Sequence, residues 1–119
     1  MKVEVSNGEL VDKVSILKVK LEKIRDSDKQ ICINLELMEL EPVVKKLGCY
    51  TDLLDLQEIN DKLWDVIGEA KDLLARGQLG ERFADLSAET IRLNDARFLV
   101  KKRINRDTGS ALREVKEKL

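Results

Sequence analysis

Histidine is absent from this chain, cysteine occurs twice, proline once, and the aromatic residues are four: Tyr50, Trp64, Phe83 and Phe98. Each scarcity removes a class of function. Without histidine, the commonest general base at neutral pH and the commonest transition-metal ligand are both missing. Cys32 and Cys49 are too few and too isolated for a disulfide framework or a closed zinc site, and both read as ordinary thiols. The four aromatics nowhere alternate with basic residues, so there is no platform on which nucleic-acid bases would stack. A charge excess is lacking too, with 22 Lys and Arg against 23 Asp and Glu, and no global field draws the chain to nucleic acid or to an anionic membrane. No apolar run approaches the roughly 20 residues of a bilayer span. The opening MKVEVSNGEL lacks a signal-peptide core, and a cytoplasmic protein is expected. No complete catalytic signature, cofactor motif or metal-ligand set stands in these residues.

What is present is 119 residues, 43% apolar and 38% charged, the profile of long amphipathic helices. The expectation is one all-α domain over residues 1–119, an antiparallel bundle of four main helices plus a short C-terminal helix. Ser6 followed by Glu9 is a capping box that starts the first helix near Asn7. Leu10, Val14, Leu17, Leu21 and Ile24 then form a seam of alternating four- and three-residue steps. Residues 2–5 alternate like a strand but are short enough to be an extended arm.

The second helix, residues 29–47, is apolar on two faces: Ile31, Leu35 and Met38 on one, Ile33, Leu37, Leu40, Val44 and Leu47 on the other. Such a helix is expected to be buried all round, and since four helices cannot enclose one of their own, its second face is assigned to another subunit, a homodimer. Pro42 should kink or restart it, and Gly48 ends it. The third helix covers residues 52–76, with Leu56, Leu63, Ile67, Ala70 and Leu74 inward and Trp64 as a core anchor beside them. The fourth covers 81–105, and Ser110 caps a final helix with Leu112, Val115 and Leu119. Residues 52–72 hold seven acids against two bases, and 92–106 hold six bases against Asp95, so the third and fourth helices are expected side by side.

The fourth helix carries the clearest functional pointer. From Phe83, steps of four and three give Ser87, Thr90, Asn94, Arg97, Lys101 and Ile104, a stripe with a polar interior flanked by Leu86, Leu93 and Val100 on one side and Ile91 and Phe98 on the other. Buried polar groups need partners. The first helix offers Glu9, Lys13 and Lys20 along one edge, and Asn60 interrupts the inner face of the third. A cationic seam of Arg97, Lys101 and Lys13 suits a small anionic ligand, a phosphate or carboxylate, with Ser110 adding backbone donors. An equally open reading is structural: Arg97 and Lys101 snorkel, Asn94 pins register, Glu9 only caps, and the run Lys101, Lys102, Arg103 and Arg106 is a solvated helix end.

The blocks VEVSNGELVDKVSILKVKLEKI, INDKLWDVI, LNDARFLVKKRIN and GSALREVK resemble a family of short uncharacterised bacterial proteins, a domain of unknown function. The resemblance covers nearly the whole chain and implies a setting among proteins of surface polysaccharide and glycosyl transfer. It falls on Glu9, Asp12, Lys13, Asn94, Arg97, Lys101, Asn105, Gly109 and Ser110, overlapping the seam.

Two enzyme classes compete with a binding or assembly module. Glu36 and Glu39 with Glu58 and Asp61 have the spacing by which all-α nucleoside triphosphate pyrophosphatases hold Mg²⁺, though all four lie off the apolar faces. Lys13, Arg97 and Lys101 are the cations that a chorismate-mutase-like clamp needs, without the arginine spacing of that family in the first helix. The residues favour a non-catalytic binding or assembly module, with Glu9, Lys13, Lys20, Asn60, Asn94, Arg97, Lys101 and Ser110 as the candidate site.

Overall fold

The structure is a computed structural model and describes residues 1–113. It contains four helices, α1 (Asn7–Lys23), α2 (Ser27–Leu47), α3 (Tyr50–Ala75) and α4 (Glu81–Asp107), and no strand among the described residues. The opening residues 1–6 have no regular structure, and Met1, Val3 and Val5 are exposed. No helix among the described residues is long and apolar enough to cross a membrane.

Local chemistry sets the boundaries. The Ser6 hydroxyl accepts the Glu9 N–H at 3.1 Å, starting α1 where the sequence places it. The reciprocal half of the capping box is not made, because the Glu9 carboxylate reaches Lys101 instead. Asp26 caps α2 by accepting the Lys29 N–H at 3.0 Å, so this helix begins two residues before the expected start. α2 runs through Pro42 without restarting there. The proline ring removes the N–H that would meet the Met38 carbonyl, but both residues face solvent, where water takes the freed acceptor. At the end of α4, Gly109 adopts φ 63° and turns the chain so that the Ser110 N–H reaches the Asn105 carbonyl at 2.9 Å, a Schellman closure. The final helix expected after Ser110 is not seen as far as Arg113, and its remainder lies outside the described residues.

The enclosed helix is α1, not α2. α1 touches each of the other three, α3 and α4 also pack on one another, and α2 leans chiefly on α1. Val11, Val14 and Leu17 of α1 form the core with Ile33, Leu37 and Val44 of α2, Leu53 and Leu56 of α3, and Val100 and Ile104 of α4. The other face of α2 is bare: Ile31, Leu35 and Met38 are 57%, 61% and 73% exposed. The expectation of an all-round buried α2 therefore fails within the chain, since an apolar surface on two sides was found to be packed on only one.

Acidic α3 does lie on basic α4. Arg103 donates to Asp52 at 2.8 Å and to Asp55 at 3.0 Å near the start of α3, while Arg82 forks onto Glu69 at 2.6 and 2.8 Å near its end, so these two helices run in opposite senses. The Arg82 hydrogen bonds hold the Glu69 carboxyl below its usual range, and the two aspartates raise Arg103 further. Such exposed pairs set direction more than stability.

Two glycines test the packing. A Cβ on Gly8 would stand 2.6 Å from the Lys101 carbonyl oxygen and 3.0 Å from Asn105 Oδ1, whereas one on Gly68 would meet nothing within 4 Å. Gly68→Ala, free of clash, is expected to raise stability by about 0.5–1 kcal/mol through helix propensity. Gly8→Ala is expected to lower it by about 1–3 kcal/mol, because the obstacle is backbone and the overpacking outweighs that gain. Urea unfolding of the two variants beside the parent checks both signs.

Candidate functional site

The side of α1 facing α4 is not apolar. Gly8, Asp12, Ser15 and Val19 follow each other at steps of four, three and four, and all are buried. Opposite them on α4 stand Asn105, Lys101, Arg97 and Asn94. The small residues Gly8 and Ser15 let the backbones come close, and the polar ones then have to pair.

They pair along the whole length. The Asn7 N–H donates to Ser110 Oγ at 3.0 Å, and Asn7 Nδ2 to Thr108 Oγ1 at 2.9 Å. The Gly8 N–H donates to Asn105 Oδ1 at 2.6 Å, and Lys101 Nζ to Glu9 Oε1 at 2.6 Å. One turn on, the Arg97 guanidinium forks onto Asp12, Nε to Oδ1 at 2.9 Å and Nη2 to Oδ2 at 2.5 Å, and Nη1 faces Asn94 Oδ1 at 3.5 Å. From α3, Asn60 Nδ2 reaches Asp12 Oδ1 at 3.0 Å and Ser15 Oγ at 2.8 Å. The Asp12 side chain is 2% exposed and Arg97 26%. Among the described residues, no buried side-chain nitrogen or oxygen lacks a partner.

Of the expected site residues, Glu9, Asn60, Asn94, Arg97, Lys101 and Ser110 thus belong to one network. Lys13 does not, since it projects toward α2 and pairs with Glu36 at 3.2 Å. Lys20 is half-buried one position round from the α4-facing line, and its ammonium makes no ion pair among the described residues. Ser110 acts on α1 instead of starting a helix, its hydroxyl accepting from Asn7 and donating to the Leu112 carbonyl at 2.7 Å. The positive charge expected of the seam is matched by Asp12 and Glu9. The basic run is likewise engaged at Lys101 and Arg103 and, on the surface, at Arg106, which pairs with Asp107 at 3.0 Å, while Lys102 is exposed. Asn7, Gly8, Asp12, Ser15, Asn105 and Thr108 also belong to the paired seam, though none is among the expected site residues; Asp12 and Asn105 were signalled by the family resemblance, and Gly8, Asp12 and Ser15 by a small-and-polar line on α1 parallel to the apolar one.

At the Asn94–Arg97 end the network opens into a cleft of about 470 Å³ between α1, α3 and α4. Ile16, Val19, Leu63 and Ile67 give it apolar walls, Asn60, Asn94 and Arg97 a polar side, and Trp64, Gly68 and Lys71 complete the lining. Trp64 is not the core anchor expected: it stands one position past buried Leu63, on the shoulder of α3, and is 38% exposed.

The acids of the pyrophosphatase-like reading do not gather. Glu36 meets Lys13, Asp61 meets Lys23 at 3.0 Å, and Glu58 meets Lys62 at 3.3 Å. No group of three His, Cys, Asp or Glu side chains converges as a metal needs among the described residues. Of the three cations of the clamp reading, Lys13 turns away to Glu36, and Arg97 and Lys101 each pair with an acid of α1.

Unequal burial of Asp12 and Arg97 gives a directional expectation. Arg97→Ala strands a buried carboxylate and should cost about 3–5 kcal/mol. Asp12→Ala leaves a guanidinium that reaches water and should cost less, about 1–3 kcal/mol. Denaturant unfolding of both single variants and the double one, in which part of the loss is recovered, measures the coupling. The thiols differ as well: burial, with Asp52 nearby, pushes Cys49 up, while Cys32 is exposed. Alkylation near neutral pH followed by mass spectrometry should mark Cys32 first, with Cys49 catching up only as pH rises.

No curated protein and no solved structure matches the chain. Residues 1–118 match the model of a family of unknown function, DUF6165, and the chain, paired seam and cleft included, belongs to that family.

Proposed function

We propose that the protein is a non-catalytic binding module of the cytoplasm whose ligand lies in the cleft between α1, α3 and α4. One observation carries the reading: the chain's single tryptophan stands partly exposed in a 470 Å³ cleft, beside a glycine with open space, where a fully paired polar network ends. The volume falls within the range of small-molecule sites, which are concave and largely apolar with a few fixed polar groups. Trp64, Ile16 and Ile67 suit a planar or aliphatic body. Lys71, exposed and with no ion-pair partner among the described residues, suits a phosphate or carboxylate at one end of it. Asn94 adds an amide. The Asp12–Arg97 fork contributes rigidity, holding that side of the cleft in place before a ligand arrives.

Because Trp64 is alone, its fluorescence reports directly on this cleft. Titration with inorganic phosphate, dicarboxylates, nucleotides and nucleotide sugars, with and without Mg²⁺, is expected to give a saturable change with at least one class. Lys71→Glu should weaken that binding about tenfold, a loss of about 1.4 kcal/mol. Gly68→Leu should abolish it by filling the cleft while leaving the fold intact. Silence across the whole series, or a response indifferent to Gly68→Leu, would sink the reading.

A further inference from the structure

On the outward face of α2, Asp28, Ile31, Leu35, Met38, Pro42 and Lys45 follow one another at steps of three, four, three, four and three, and all six are exposed. Scattered exposed hydrophobics are ordinary, but an aligned apolar row on a helix packed from one side is not. The row has a further property: its spacing reads the same in both directions, with the midpoint between Leu35 and Met38. Its ends differ in sign, Asp28 at the start and Lys45 with Lys46 at the finish, and none of these three forms an ion pair among the described residues.

We propose that this face binds a second copy of the same chain, α2 against α2 in antiparallel orientation. Turned end for end, the row lays Leu35 on the partner's Met38, Ile31 on the partner's Pro42, and Asp28 beside the partner's Lys45, with every contact occurring twice as an isologous interface demands. Charge selects the direction. A parallel pair would set Asp28 on the partner's Asp28 and lysines on lysines, and would align two helix dipoles; the antiparallel pair opposes the dipoles and joins unlike charges at both ends. The three-four spacing is that of helices crossing at a shallow angle with interlocked side chains. The row lies opposite Ile33, Leu37 and Val44, which hold α2 to α1, so a second copy docks without disturbing the core.

Sedimentation equilibrium over a range of concentrations tests this. The parent should associate to a dimer, and Leu35→Glu and Met38→Glu should each abolish association while matching the parent's thermal midpoint in dilute solution, where the parent too is monomeric and both side chains are exposed. Asp28→Lys or Lys45→Asp alone should weaken association roughly tenfold, and the two combined in one chain should restore it, which only the antiparallel register allows. A parent that stays monomeric at every concentration, a dimer that survives Met38→Glu, or a charge exchange that fails to restore association would each overturn the proposal.

Discussion

A carboxylate shut away from water governs this molecule. Ionised Asp12, 2% exposed, would cost several kcal/mol if left unpaired, and no residue of α1 pairs with it by a side-chain contact except through its own backbone turn. Its partners come from elsewhere: Arg97 from α4 and Asn60 from α3. Apolar seams tolerate a helix sliding by part of a turn, but a forked guanidinium and a carboxamide converging on one carboxylate do not. The relative height of three helices is thereby set at a single level. α2, which lacks any such tie, is held by aliphatic contacts and the surface pairs Lys13–Glu36 and Lys18–Glu41.

Much of the fold is legible because helix ends are written in residues with local chemistry. Ser6, Gly48 and Gly109 act where they stand, and their meaning needs no knowledge of the rest of the chain. The site is half legible for a related reason. On α4, polar residues interrupt a row bounded on both sides by leucine, valine, isoleucine and phenylalanine, and that interruption is visible. On α1, the apolar line from Leu10 to Leu21 already supplies one good face, so Gly8, Asp12 and Ser15 look like a solvated back. A buried polar residue and an exposed one are the same letter; only the helix packed against them tells the two apart. The same ambiguity misplaced α2, whose second apolar face resembled a buried one, and Trp64, whose neighbour Leu63 took the inward position.

The network and the cleft are two ends of one construction. Pairing is complete where α1 and α4 touch, then gives way to open space where the three helices spread around Trp64. Groups fixed by the paired part, Asn94 and Arg97, also face the open part. A cleft bordered in this way keeps its shape when empty, which lowers the ordering cost of binding.

The start of α1 is completed by groups that lie very far along the chain. The N–H groups of Asn7 and Gly8 are met by Ser110 and Asn105, across 103 and 97 residues. During synthesis the helix on which all others pack therefore leaves the ribosome with its Ser6 cap at hand but well before the Asn7 and Gly8 N–H groups have their partners. The Asp12 carboxylate on its polar line likewise has no partner until Asn60 of α3 and Arg97 of α4 have followed. Closure comes only when the turn at Gly109 emerges, so assembly of α1, α3 and α4 is expected to be a late, concerted event dominated by distant contacts, slower than the local hairpins that helical chains of this size ordinarily form first.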